Sequence, residues 1–292
     1  MAKINLPNPH LSKDASVDDI LYHLGLSKKG HDLPALFGDV QWVCCGGSEA
    51  RMRRVYESLV SELGLAAHGN LSRSERYSVY KAGPVLAVPH GIGVPSMSIM
   101  LIEVLKLLQH AGALFKGFIR IGTSGGIALK PGTVVISSGA VNGLLQEKHI
   151  MHILGKEVIF DAKLNSTLPD EIAEFAANME TEYPVVRGLT MGADGFYEGQ
   201  GRLDGAFCDY SAQDKNRFIA ACKAKGVVNI EMESAGFASI CSRAGVPGAL
   251  VCVTLVNREN GDQVLGTPAE RSEFECRPIS LILAFLKHQL SL

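Results

Sequence analysis

The sequence lacks the features that mark several large classes of protein. Its apolar runs are far shorter than a membrane span; SLILAFL near the end is an example. The opening residues, MAKINLPNPHLSKD, contain no basic segment leading into an apolar one, so we expect no secretory signal. With 28 basic and 30 acidic side chains, the chain also lacks the basic excess of a nucleic-acid-binding protein. We therefore expect neither a membrane nor a nucleic acid as a partner.

Metal and disulfide patterns are also missing. The seven cysteines are scattered, odd in number and without CxxC pairs, which indicates a reduced, cytoplasmic location. His149 and His152 in HIMH lack a third ligand and the HExxH frame of a zinc site. There is no G-x-S-x-G nucleophile turn. We expect no metal site and no cofactor.

Patterns typical of strands and helices alternate after the first forty residues. VQWVCC (40–45) precedes GGS and the helical RMRRVYESLVSELGL, and five later strand patterns are FIRIG, GTVVISSGAV, VVRGLTMGA, VVNIEMES and GALVCVTLV. This alternation predicts an α/β fold with a mostly parallel sheet covered on both faces. In such sheets ligands bind at the carboxyl ends of strands, so the residues after each apolar run are candidate site residues.

Two strands are followed by glycine turns that suit an anion. In CCGGSEARMRR, Gly47 lets the backbone approach a ligand and Arg51 lies one turn into the following helix. In FIRIGTSGGI, Arg120 lies within an apolar strand and Thr123 in the turn. The alternatives are an ordinary turn with solvated arginines and a structural arginine–carboxylate pair. No Walker A ending is present, which favours inorganic phosphate bound without a metal.

Two further segments suit a sugar and a base. In NIEMES, Glu233 and Met232 follow a strand, and carboxylates there can accept hydrogen bonds from sugar hydroxyls; the alternative is helix capping. In FYEGQGRLDG, Gln200 offers a donor and an acceptor and Arg202 offers donors, which matches the acceptor–donor–acceptor edge of uracil. Phe196 can pack against the base. The alternative is a polar surface loop.

Together, GGSEARM, SERYSVYKAGPVLAVPHGIGVPS, RIGTSGGI, FYEGQGR and NIEMES resemble, in order and spacing, the uridine phosphorylases of the nucleoside phosphorylase family. The resemblance runs from about residue 20 to the C-terminus and is closer to animal-type than to bacterial enzymes. It implies one domain over residues 1–292, with residues 1–20 as a loosely ordered N-terminal arm. The implied fold is a three-layer α/β/α domain around a twisted, mixed central sheet.

The resemblance also assigns residues to ligands. Phosphate would be bound by Gly47, Arg51, Arg76, Arg120 and Thr123; ribose by His23, Met232 and Glu233; and the base by Phe196, Gln200, Arg202 and Leu255. Arg76 and His23 would come from a neighbouring subunit, so the resemblance implies a homodimer or a larger homo-oligomer. Arg120, Arg202 and Gln200 would be the catalytic residues.

The implied reaction is the reversible phosphorolysis of uridine to uracil and ribose 1-phosphate in pyrimidine salvage, with phosphate as co-substrate. Purine-handling relatives carry an S-D element after the last core strand, whereas this strand ends VCVTLVNREN. The segment TMGADGFYEG differs from the usual sequence of the family at this place, and the loop before Arg76 is shorter than in vertebrate-type relatives. Two alternatives stay open: a nucleosidase that uses water, and a non-catalytic nucleoside-binding paralogue.

Overall fold

The computed structural model describes residues 2–11 and 17–292. The chain divides into two compact units, one of Met1–Ile119 with Arg243–Pro247 and the other of Arg120–Ser242 with Gly248–Leu292. No helix within the described residues is both long and apolar enough to cross a membrane.

Strands and helices alternate in the first unit. The buried strand β4 leads into α2 through Ser48, whose side chain accepts the N–H of Arg51 and so caps the helix. Strand β4 runs parallel to β7, and β7, β6 and β5 are joined antiparallel. The elements are β1 Ala2–Lys3, β2 Ile20–Leu21, β3 Leu26–Ser27, α1 Leu33–Phe37, β4 Trp42–Gly46, α2 Glu49–Ser61, β5 Ala67–Asn70, β6 Tyr80–Ala82, β7 Val85–Pro89, α3 Val94–Ala111 and β8 Leu114–Phe115.

The second unit holds the remaining elements, although β9 and α6 each run across the boundary between the units. They are β9 Gly117–Gly126, β10 Val134–Val141, β11 Lys148–Ile153, β12 Lys156–Asp161, α4 Thr167–Ala177, β13 Val185–Gly192, a 3₁₀ turn Glu198–Gln200, α5 Ala212–Ala224, β14 Val227–Glu231, α6 Ser234–Ala244, β15 Gly248–Asn257 and α7 Pro268–Gln289.

Five strands of this unit close into a ring. The order is β14-β13-β10-β15-β9, and β14 also pairs with β9 at Asn229–Gly126 and Ile230–Gly125. The pairs β10–β13 and β13–β14 are parallel, whereas β10–β15 and β14–β9 are antiparallel. The α/β class and the mixed sheet implied by the resemblance are therefore confirmed, and the sheet is less parallel than the alternation of elements predicts.

A chain of buried polar side chains crosses these strands. Ser137 is hydrogen-bonded to Thr190, Thr190 donates to Asn229 Oδ1 over 2.7 Å, and Asn229 Nδ2 donates to Ser124 Oγ over 3.0 Å. Ser124 in turn donates to the carbonyl of Val253. Buried polar groups are costly unless they are hydrogen-bonded. This network of hydrogen bonds therefore favours one register of β10, β13, β14 and β9.

The helices and strands of the main pattern lie where the sequence predicts them, with differences at the ends. The sequence SMSIMLIEVLKLLQHAG predicts a helix terminated by Gly112, and α3 does end at Ala111, directly before this left-handed glycine. LPDEIAEFAANMETE predicts a helix as well, but α4 ends earlier, at Ala177. The β11–β12 hairpin was not predicted. Met1 and residues 12–16 of the predicted N-terminal arm lie outside the described residues. Of the rest, β1 pairs with β8. The single-domain organisation stays a prediction.

Candidate active site

A buried ion cluster forms where β14 ends and α6 begins. Arg120 is 3% exposed, its Nη1 lies 2.9 Å from Oε2 of Glu231, and its Nη2 donates to Glu233. Both glutamates are buried as well. A guanidinium inside a protein is tolerated when carboxylates and hydrogen bonds compensate the loss of water. The structure therefore brings together two of the predicted ligand residues, Arg120 and Glu233.

The two glutamates do different work. Oε2 of Glu231 accepts the backbone N–H of Glu233 over 2.9 Å, and Oε1 accepts that of Ser234 over 2.7 Å. These N–H groups lie at the start of α6, so the helix-capping alternative holds for Glu231. The Arg120–carboxylate pair that was the alternative for Arg120 is also present. The ligand roles of Arg120 and Glu233 stay predictions.

The glycines after Arg120 make room for large side chains. A Cβ on Gly125 would lie 2.8 Å from Cγ and Cδ of Arg258, and one on Gly122 would lie 3.1 Å from Nη1 of Arg120 and Sγ of Cys252. Burial raises the pKa of Cys252 to about 11, so this thiol is neutral beside Arg120. Packing alone thus accounts for glycine at two positions of RIGTSGGI.

The segment predicted to bind the base is not a plain surface loop. The 3₁₀ turn Glu198–Gln200 ends at Gly201, whose φ of 62° is left-handed and favours glycine. The side chains on either side of this glycine point inward: Gln200 is 5% exposed and Arg202 is 8% exposed. The guanidinium of Arg202 lies 4.4 Å from the ring centroid of Phe196 and forms two hydrogen bonds with Asp204. The structure thus brings Phe196 and Arg202 together.

Arg258 is a residue of this site that the sequence analysis missed. It is 1% exposed; its Nη1 donates to Oε1 of Gln200 over 3.2 Å and its Nη2 to the carbonyl of Gln200 over 2.8 Å. Burial lowers the pKa of Arg258, against the effect of Asp262. Arg258 follows the last apolar strand in VCVTLVNREN, so the criterion that residues after an apolar run are candidate site residues would have selected it.

Asp262 connects Arg258 to the segment predicted to bind the base, residues 196–205, which we call the base segment. Its Oδ1 accepts from Lys215 Nζ over 2.7 Å and from Arg258 Nε over 3.1 Å, and its Oδ2 accepts the N–H of Leu203 over 2.9 Å. Burial acts to raise the pKa of Asp262, but the Lys215 and Leu203 hydrogen bonds and the Arg258 charge outweigh it, so the pKa is lowered. The base segment is thus tied to α5 and to the segment after β15.

The other predicted residues of this unit are half-buried or exposed. Thr123 lies within β9 and not in a glycine turn as the sequence predicts, because the strand continues to Gly126. Met232 lies directly after β14 and Leu255 in β15; these two residues and Thr123 are half-buried, while Phe196 is 47% exposed. Their ligand assignments stay predictions.

A cavity of about 280 Å³ is lined by residues of the base segment and of α5. Glu198, Gly201, Tyr210 and Phe218 contribute to its wall, whereas Gln200 and Arg202 do not. We therefore do not assign this cavity to the base.

The first unit holds the remaining predicted phosphate residues. Arg51 is 8% exposed at the start of α2, and a Cβ on Gly47 would lie 2.9 Å from the carbonyl oxygen of Gly91. Glycine at position 47 therefore allows two turns to approach closely. Arg76 is exposed, which is compatible with the predicted reach into a neighbouring subunit.

His23, the predicted ribose ligand, is fixed by a glutamate of α3 that the sequence analysis also missed. Glu103 is 8% exposed and accepts the N–H groups of His23 and Leu24, and its Oε1 lies 2.7 Å from Nδ1 of His23. This contact directs Nδ1–H to the carboxylate and leaves Nε2 as the ring nitrogen that can face a ligand. The His23 side chain is 40% exposed.

Comparisons with known proteins show which family this chain resembles. Residues 41–286 match the family model described as the phosphorylase superfamily. The chain is 46% identical to uridine phosphorylase 1 of Mus musculus, covering 98% of this chain and 93% of that protein. It is 39% identical to inactive uridine phosphorylase B of Schistosoma mansoni, covering 96% and 95%.

A solved structure gives the same result. The crystal structure of uridine phosphorylase from Schistosoma mansoni in complex with thymidine superimposes with a TM-score of 0.92, at 38% identity and over 99% of both chains. The resemblance deduced from the five motifs is confirmed. The chain belongs to the phosphorylase superfamily, among its uridine phosphorylases.

Proposed function

We propose that this protein catalyses the reversible phosphorolysis of uridine to uracil and ribose 1-phosphate, as an enzyme of pyrimidine salvage. The observation that carries the proposal is the inward placement of Gln200 and Arg202 beside Arg258. The names of the relatives support the same activity. The proposed enzyme uses phosphate as co-substrate, needs no further cofactor, acts in the cytoplasm and forms at least a homodimer.

The hydrogen bond from Arg258 assigns the orientation of the Gln200 amide. Because Oε1 accepts from Arg258, Nε2 is the donor side of this amide. Oε1 retains a second lone pair for uracil N3–H, while Nε2 donates to one carbonyl of the base. Arg202 donates to the other carbonyl. This pattern matches uracil and would leave buried donors unpaired against a base with a different edge.

The chemistry requires stabilisation of two opposite charges. Breaking the glycosidic bond leaves an oxocarbenium-like ribose and moves negative charge onto uracil. In the proposal, Arg202 and Gln200 stabilise the departing base, Arg120 attracts the phosphate that attacks C1′, and Glu233 orients the sugar. Phosphate and ribose keep the other ligands that the resemblance assigns. No covalent intermediate with the enzyme is needed.

The test is uridine consumption with and without inorganic phosphate, with ribose 1-phosphate as the product measured. Phosphate-dependent turnover supports the proposal. Turnover indifferent to phosphate identifies a nucleosidase instead. Uridine binding without turnover identifies a non-catalytic paralogue, a candidate that one relative named as inactive makes worth testing. Thymidine and deoxyuridine as parallel substrates define how far the sugar and the 5-position are discriminated.

A further inference from the structure

The guanidinium of Arg202 is held along one edge. Nε donates to Oδ1 of Asp204 over 2.9 Å and Nη2 donates to Oδ2 over 2.7 Å. This is a bidentate pair, the geometry in which an arginine and a carboxylate bind most strongly and with a defined orientation. One face of the same guanidinium lies against Phe196. An edge and a face of the guanidinium are therefore both fixed.

The pairing leaves a specific set of donors for a ligand. A guanidinium has five N–H groups. Asp204 takes one from Nε and one from Nη2, so the Nη1–Nη2 edge retains the other three. A carbonyl oxygen of a base can accept from this second edge without displacing Asp204. The carboxylate therefore orients the guanidinium rather than blocking it.

The backbone that precedes Asp204 is fixed by two hydrogen bonds. The hydroxyl of Tyr210 donates to the carbonyl of Arg202 over 2.5 Å, and the N–H of Leu203 donates to Asp262. The hydrogen bonds from Arg202 lower the pKa of Asp204, so its carboxylate is ionised at neutral pH. The Asp204 side chain is 24% exposed, compared with 9% for Arg202. The pair therefore lies at the rim of the buried segment.

Orientation has a direct energetic value for this residue type. An arginine side chain has many rotamers, and the entropy lost in ordering it weakens binding unless the side chain is already ordered. A group that must meet charge developing on the base acts best when it needs no reorganisation during the reaction. An arginine ordered by Asp204 meets both conditions.

We propose that Asp204 is a positioning residue, which orients the Nη1–Nη2 edge of Arg202 toward a carbonyl of the pyrimidine base through its bidentate pair with Arg202. The proposal rests on the proposed function, in which Arg202 binds the base. It adds a residue that does not itself contact the substrate.

The experiment is a double-mutant cycle in the full-length protein, with uridine and phosphate as substrates. The variants are Asp204→Asn, Arg202→Ala and the double variant. Asp209→Asn is the matched control because it makes the same change at an exposed position shortly after this segment. We expect Asp204→Asn to lower kcat/KM for uridine on the order of 10- to 100-fold, as expected for a slightly misplaced group, with the KM for phosphate unchanged. In the Arg202→Ala background the same change should alter kcat/KM by less than about 2-fold, because the group that Asp204 positions is absent.

Asp204→Glu provides a second variant that keeps the charge and moves the carboxylate by one methylene. We expect it to retain more activity than Asp204→Asn and less than the wild type. Thermal unfolding of every variant reports whether the fold is intact.

Each other outcome shows which part of the proposal is wrong. Wild-type kinetics of Asp204→Asn beside an impaired Arg202→Ala overturns the positioning role and leaves the proposed function standing. Wild-type kinetics of Arg202→Ala overturns the role of Arg202 itself. Faster turnover or tighter uracil binding by Asp204→Asn means that Asp204 competes with the base. An equal loss in both backgrounds means that Asp204 acts on the fold alone.

Discussion

Glu231→Gln tests whether the buried ion cluster depends on both of its carboxylates. The substitution keeps the shape of the side chain and replaces one acceptor oxygen by an NH₂ group. In the wild type, Glu231 forms an ion pair with Arg120 and accepts two backbone N–H groups at the start of α6. The oxygen of the glutamine can take the place of only one of the two carboxylate oxygens, Oε1 or Oε2. The NH₂ group takes the place of the other and faces an N–H donor there.

The magnitude follows from these contacts. An unsatisfied buried donor costs about 1–3 kcal/mol, and a lost charge-assisted bond adds about 1.5–3 kcal/mol. We therefore expect the free energy of unfolding to fall by about 3–5 kcal/mol, the range measured when one partner of a buried ion pair is removed. Urea unfolding at neutral pH measures this quantity through the midpoint and the slope.

A matched control exists on α7. Glu273 forms a bidentate pair with Arg277, at 2.9 and 3.0 Å, but its side chain is 56% exposed. Because exposed ion pairs contribute little, Glu273→Gln should cost less than about 1 kcal/mol. If the two variants lose the same stability, burial does not set the value of the pair at Glu231, and our reasoning about the cluster is wrong.

Two further predictions concern phosphate and pH. Arg120→Ala should lower kcat/KM for phosphate on the order of 10²- to 10³-fold, as expected when a main electrostatic group is removed, and unchanged phosphate dependence in a folded variant would contradict the assignment. The lowered pKa of Asp262 means that its contribution to stability is present above the unfolded value of about 3.9 and is lost as the pH falls through the folded pKa. The Asp262→Asn variant should therefore have a lower free energy of unfolding than the wild type at pH 7. This difference in free energy should shrink as the pH falls from about 4 to the lower folded pKa. Urea midpoints across this range measure it, and a difference that does not change with pH would count against the ion pairs as its cause.

Sequence analysis found residues whose type is unusual for their place in the sequence. Arg120 was found because a guanidinium within an apolar strand needs a partner, and the structure shows two. Gln200 and Arg202 were found because their spacing among glycines is unusual for a surface loop. In each case, a residue type that is unusual for its position indicated a contact with another part of the chain.

The residues that were missed depend on contacts distant in sequence. Glu103 is 80 positions from His23, and Arg258 is 58 positions from Gln200. Nothing near either residue in the sequence shows which partner it meets, because strand register and loop path decide that. Closure of five strands into a ring is likewise a property of pairings between distant segments.

The unpredicted β11–β12 hairpin has a different explanation. Its two strands are joined by Leu154 and Gly155, with φ values of 51° and 75°. Two successive residues with positive φ form the turn that suits a hairpin, but the usual signal is Asn-Gly or Asp-Gly. Leucine in the first position hides the turn from sequence analysis.

The ring of strands in the second unit has a consequence for how this protein tolerates change. Since β14 is bonded to a neighbour on both sides, it presents no row of open backbone groups that a strand of another molecule could join. A slip of one residue in any pairing would have to be accommodated by the others around the closed circuit, or the circuit would open. Insertions should therefore survive in the connections and fail within these strands.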